Sequence, residues 1–200
     1  MIRMKTILIA TQNEDKMKEF RSAFQPLGYQ CISLHDVSFH EDIIEDGLTF
    51  FDNAYKKAKT ISMKYDMIAL ADDSGLIVTA LPDELGVNSK RFSREATYEA
   101  NNQLLLQKLA DEADRSAYFI TQLVLYYPNG KFYTYQGRVY GSIALDFKGL
   151  YGFGYDPLFV IDGLDKRMAE LTKEEKNEIS HRGRALNKLV EDIKHGIITI

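Results

Sequence analysis

One cysteine, no tryptophan and four prolines in 200 residues are the scarcest components of this chain. A single cysteine, Cys31, can neither close an internal disulfide nor build a cysteine-rich zinc site. In "YQCISL" it reads as a small packed hydrophobe, and no histidine stands in a partnered motif that would make it a nucleophile. An excess of basic residues is missing too. The net charge of −4 argues against a nucleic-acid polymer, which needs a broad basic face, but leaves room for a small anion held by a few local cations. Long hydrophobic runs are lacking as well. The longest near the N-terminus, "TILIA", follows "MIRMK" and opens a strand-like segment, so neither a membrane span nor a signal-peptide core is expected and a cytoplasmic setting is. Repeats, low-complexity tracts and Pro/Gly/Ser linkers do not occur, so residues 1–200 are expected to form a single domain.

What is present is ordinary globular material: 45% hydrophobic and 27% charged residues, enough to bury a sizeable core. The apolar run at 5–10 reads as a buried strand. Asn13 then caps a helix carrying Met17, Phe20, Phe24 and Leu27 at helical spacing. A second strand is expected at 29–34. Thr49 with Asp52 forms a capping-box start for a helix reaching about Tyr65. Strand material lies at 67–72 and again at 75–81, on either side of a turn at Asp72 and Asp73. A helix over 97–113 turns Leu105 and Leu109 inward, and a long antiparallel hairpin turns at Pro128-Asn129-Gly130. Thr172 with Glu175 starts another helix, and Ser180 caps a last one that Gly196 ends. Early strand–helix alternation interrupted by a hairpin predicts a mixed, twisted α/β sheet with flanking helices.

Five stretches could carry chemistry. "ATQNEDK" (10–16) is a strand–loop–helix junction where amide N–H groups and Lys16 could meet a phosphate; without a Walker glycine pattern, the pattern alone favours an ordinary capped helix. "HEDIIEDGLTF" (40–50) is an acidic loop, either solvated surface or the source of one metal-ligating carboxylate. "ADDSGL" (71–76) is a turn or a carboxylate site. In a strand the two side chains point to opposite faces, so Asp73, at the strand-to-turn transition beside Ser74 and Gly75, is expected to be the exposed catalytic one and Asp72 its support. "GLYGFGYDPLF" (149–159) interleaves glycines with aromatics, as a tight turn or a stacking platform for a base. "EEKNEISHRGRAL" (174–186) brings Ser180, His181 and Arg182 to a helix start, aimed into a cleft or simply exposed surface. No Ser-His-Asp or Cys-His set and no HxxxH or CxxC spacing occurs. For an enzyme, this leaves carboxylate- and metal-assisted attack of water on a phosphate.

In this order the segments "LIATQNEDKMKEF", "EDGLTFFDNAYKKA", "ADDSGL", "GFGYDPLF" and "AELTKEEKNEISHRGRAL" resemble the inosine/xanthosine triphosphate pyrophosphatase family over nearly the whole chain. The resemblance implies hydrolysis of a non-standard purine nucleoside triphosphate (ITP, dITP or XTP) to the monophosphate and pyrophosphate. It also implies Mg²⁺ as cofactor, two lobes around a central cleft, and a homodimer. By position it implies that Thr11, Gln12, Asn13, Glu14, Asp15 and Lys16 hold the phosphates, with Lys57 facing them and Ser74 beside the catalytic carboxylate. Glu45 and Asp73 are implied to ligate Mg²⁺, with Asp73 also the proton acceptor for the attacking water. Phe153, Gly154, Tyr155 and Asp156 are implied to enclose the base, with Lys176, His181 and Arg182 completing its recognition. Gln12 and Asp15 stand where the family favours glycine, or glycine and lysine, and Lys90 and Arg94 where it favours small residues. A related pyrophosphatase with another base preference is the alternative, against which "SHRG" speaks. A silent nucleotide-binding module is a second, against which Asp73, Glu45 and Lys16 speak.

Overall fold

A computed structural model describes residues 5–200. Its strands are β1 (Lys5–Ile9), β2 (Tyr29–Ser33), β3 (Ala69–Val78), β4 (Ser116–Tyr126), β5 (Phe132–Ile143) and β6 (Phe159–Ile161), and its helices α1 (Glu14–Phe24), α2 (Phe50–Tyr65), α3 (Tyr98–Lys108), α4 (Lys173–Ile179) and α5 (His181–Lys194). The strands form one sheet in the order β2-β1-β3-β4-β5-β6. β1 runs parallel to β2, with Ile7 opposite Cys31, and parallel to β3, with Leu8 opposite Ala69; β5 and β6 are antiparallel. The mixed sheet with flanking helices is the expected fold class.

The chain divides into two compact units. One holds the residues up to Asp73 with Gln122–Gln136 and Gly183–Ile200; the other holds Ser74–Thr121 and Gly137–Arg182. In the first unit the period-two alternation of a strand sorts the core into two layers. Ile7, Ile9 and Leu70 pack with Phe20 and Phe24 of α1 and Leu189 of α5. Leu8, Ala10, Ala69 and Ala71 pack with Ala54, Ala58 and Ile61 of α2. Both faces are therefore covered, as continuous apolar runs such as "TILIA" require. In the second unit Leu76 and Val78 of β3 share a core with Leu105, Phe119, Val139 and Phe159.

The helix starts follow their capping residues. Asn13 Oδ1 accepts from the N–H groups of Asp15 and Lys16, and Thr49–Asp52 and Thr172–Glu175 form reciprocal capping boxes. The predicted turn at Asp72-Asp73 does not exist. β3 is a single ten-residue strand that passes straight through both aspartates. Local turn chemistry is overridden because both carboxylates find partners while still in the strand. α3 is also shorter than expected, ending at Lys108 with Leu109 as its cap. Among the described residues no helix is long and apolar enough to cross a membrane.

Candidate active site

The parity that layers the first core also sorts the two aspartates. Asp72 shares the face of Leu70 and meets α1, its Oδ2 lying 3.0 Å from Lys16 Nζ. Asp73 shares the face of Ala69 and Ala71 and meets α2, its Oδ2 accepting a 2.9 Å hydrogen bond from Asn53 Nδ2. Both are buried: Asp73 is 7% exposed, not the exposed carboxylate expected at a turn, because β3 continues through it. Burial pushes the Asp73 carboxyl above the usual carboxylate range, and Lys57, Lys16 and the Asn53 hydrogen bond pull it back only in part.

Lys57, one helical turn after Asn53, donates to Glu45 Oε1 at 2.5 Å. Its burial disfavours the ammonium, but Asp72, Asp73 and Glu45 outweigh that effect and hold it above the ordinary lysine value. The acidic loop is further tied to α2 by Lys56–Asp46 at 2.7 Å and by a Lys64–Glu41 pair. It is therefore a docked segment rather than a freely solvated one. Among the described residues no three His, Cys, Asp or Glu side chains converge as metal ligands. Glu45 and Asp73 do both act on the same ammonium, that of Lys57. Two carboxylates with no nitrogen or sulfur donor suit a hard divalent cation, which completes its shell with water and substrate oxygens.

The loop from Thr11 to Lys16 is ordered around its cap. Thr11 Oγ1 accepts from Asn13 N at 3.2 Å, and Asn13 Oδ1 takes two of the amide donors that an anion would otherwise use. Lys16 Nζ is thus its principal cationic group. The departing residues are accounted for locally. Gln12 Nε2 donates to Glu41 O at 3.4 Å, and the Asp15 carboxylate pairs with exposed Lys18 at 2.9 Å. Glu14, Lys90 and Arg94 are exposed.

The second unit gathers the remaining candidates. Asp156 Oδ2 accepts from Phe153 N at 2.8 Å and from Lys176 Nζ at 2.7 Å. Lys176 Nζ lies 4.4 Å from the Phe153 ring centroid and the Arg182 guanidinium 5.9 Å from it. Arg182, wholly buried, donates to Ser74 Oγ at 2.9 Å. The loop requires its glycines. A Cβ on Gly152 would lie 2.2 Å from Asp156 Oδ2, and Gly154 holds φ +64. Tyr155 is committed to the core, its hydroxyl donating to Ser89 O at 2.6 Å, so its ring braces the loop from behind. His181 stacks on Phe119 with ring centroids 4.8 Å apart and planes 15° from parallel.

The Ham1 family profile matches residues 7–192. The chain belongs to the Ham1 family. It is 47% identical over 190 residues to a dITP/XTP pyrophosphatase of Streptococcus pyogenes, an alignment covering 93% of this chain and 58% of that longer relative. A dITP/XTP pyrophosphatase of Bacillus subtilis is 43% identical over 192 residues, covering 94% and 97% of the two chains. Among solved structures, a HAM1 protein from Coxiella burnetii superposes with a TM-score of 0.87 at 38% identity, covering 96% of this chain and all of that one. The nucleoside-triphosphatase / dITP/XTP pyrophosphatase of Mycobacterium abscessus does so at 0.73 with 42% identity, covering 92% and 98%.

Two residues of this Ham1-family chain escape a reading of motifs. Asn53 holds Asp73, and it sits on the same α2 stripe as Ala54, Lys57, Ala58 and Ile61. An asparagine and a lysine four residues apart on an otherwise apolar stripe is the signal that points to it. Phe119, the shelf beneath His181, lies in a continuous apolar strand and carries no such signal.

Proposed function

We propose that this Ham1-family chain hydrolyses non-standard purine nucleoside triphosphates (ITP, dITP and XTP) to the monophosphate and pyrophosphate, clearing them from the nucleotide pool. The observation that carries this reading is the buried Asp73. It is tethered by Asn53 and balanced by Lys57 and Lys16, in a family whose similar members bear the name dITP/XTP pyrophosphatase.

The residues divide the work by chemistry. Lys16 and Lys57 offset triphosphate charge, and Thr11 to Asn13 order the loop that presents Lys16. Mg²⁺, held by Glu45 and Asp73, supplies charge neutralisation and polarisation of the phosphoryl oxygens when bound. Asp73 orients a water and accepts its proton as the water oxygen bonds to the α-phosphorus. The α–β bridging bond breaks and pyrophosphate leaves with the electron pair. Such attack depends on positioning and charge stabilisation more than on covalent chemistry. Asp72 anchors Lys16.

On the base side, Phe153 offers a ring face, and Lys176, His181 and Arg182 offer donors to the oxo group that hypoxanthine and xanthine carry at C6. Adenine carries an amine there and leaves those donors unmatched. We also infer a cytoplasmic homodimer acting on free nucleotides rather than on nucleic acid, in keeping with the acidic balance of the chain.

Pyrophosphate release from ITP, dITP, XTP, GTP, ATP and dUTP, with and without Mg²⁺, tests the reading. Preference for the first three, lost on chelation, is expected. ATP or dUTP turning over as well as ITP overturns it in favour of another base preference, and no turnover of any nucleotide favours a silent binding module.

A further inference from the structure

Asn102 sits on α3, one helical turn after Tyr98, and is 4% exposed. Its Nδ2 donates to the carbonyl of Gly154 at 2.8 Å. A carbonyl can only accept, so the amide can face it only with its nitrogen. The other end, Oδ1, is buried and meets no hydrogen-bond partner among the described residues. A buried amide with one end unmatched costs more than an apolar residue of similar size. Stability alone therefore does not account for an asparagine here.

What the amide holds is the centre of the aromatic loop. Phe153 and Tyr155 flank Gly154, whose left-handed backbone leaves the carbonyl direction free to vary unless something holds it. On one side Tyr155 is pinned to Ser89 O, and on the other Phe153 N is pinned to Asp156. Asn102 adds a third fixed point, from a different element. Tyr98, from the same face of α3, lays its ring 6.1 Å from that of Phe153 at 35°. The Phe153 plane, against which Lys176 and Arg182 sit, is thus set from α3 as well as from within the loop.

We propose that Asn102 is a positioning residue for base discrimination: by holding the Gly154 carbonyl it fixes the Phe153 ring on which the base is read. The inference rests on the function proposed above. Its chemistry is local, one neutral hydrogen bond to the Gly154 carbonyl acting through the adjacent Phe153.

The test compares the wild-type chain with Asn102→Ala and with Asn102→Asp, which keeps the shape but removes the donor. Steady-state kinetics on ITP and ATP are measured, together with thermal unfolding and hydrogen–deuterium exchange over residues 149–159. Loss of one neutral hydrogen bond corresponds to about three- to ten-fold. KM for ITP is expected to rise by that factor while kcat stays within roughly two-fold, the pattern of lost binding rather than lost chemistry. The ITP-to-ATP ratio of kcat/KM is expected to fall with it, and exchange over the loop to quicken. Folded variants that keep both the ITP-to-ATP ratio and the loop protection overturn the proposal, and so does failure of both variants to fold, which makes Asn102 a framework residue. A wild-type chain without preference for ITP overturns the functional reading and this inference together. A wild type with that preference, matched by its variants, overturns the inference alone.

Discussion

Asp72 and Asp73 are consecutive in β3 yet serve opposite faces of the sheet, Asp72 meeting Lys16 of α1 and Asp73 meeting Asn53 of α2. Two adjacent carboxylates in a strand are tolerable only because the pleat separates them and each face supplies its own partner. On the proposed function their roles part accordingly: Asp72 fixes Lys16, and Asp73 is the proposed reactive carboxylate.

Asp73→Asn is expected to lower pyrophosphate release from ITP by about 10²–10⁴-fold, the range associated with removing a general base. Nucleotide binding, followed calorimetrically in the presence of Mg²⁺, is expected to weaken far less. Full activity in that variant removes Asp73 from the mechanism.

The same substitution is expected to raise thermal stability at neutral pH. The Asp73 carboxyl is held above its usual range, chiefly by burial. Its acid form therefore favours folding, a contribution complete below the unfolded-state pKa and lost as pH rises through the folded one. At neutral pH that contribution is diminished, and asparagine mimics the neutral acid. Melting curves of the two proteins are expected to converge as pH falls below the unfolded-state carboxyl value of about 4. A variant less stable than wild type at neutral pH contradicts this account.

Lys16→Met leaves the buried Asp72 carboxylate without the ammonium 3.0 Å away. A destabilisation of about 2 kcal/mol is expected, below the full range for breaking a buried pair because Lys16 is partly exposed. Adding Asp72→Asn is expected to recover part of the loss, and denaturant unfolding of the four proteins measures the coupling.

Cys31 is buried, and burial pushes its thiol up to about 12. At pH 8 the thiolate fraction is about 10⁻⁴ by the definition of a pKa. The native protein is expected to resist alkylation by iodoacetamide and to be modified once on denaturation, read by intact mass. Rapid labelling of folded protein identifies an opening of the β2 region.

Much of the framework around the candidate site was legible because capping and periodicity are local. The Asn13, Thr49 and Thr172 caps, the alternation in β1 and the carboxylate–lysine content of the loops all appear within a few residues of one another. The continuity of β3 was not legible: Asp, Ser and Gly in succession carry turn chemistry, and only Lys16 and Asn53, distant in sequence, let the strand run on. Asn53 and Asn102 were hidden for the same reason, since an asparagine in a helix looks solvated until something across the fold is found to need its amide.

The sequence by itself determined most of the elements, the capped helix starts, the family and the residue types able to handle a triphosphate. Only the tertiary structure decided which carboxylate pairs with which cation, that β3 does not turn, and that Asn102 reaches Gly154. The physical reason is range. Backbone propensity and capping act over a single helical turn, whereas desolvation and ion pairing depend on which groups the fold brings within a few ångströms.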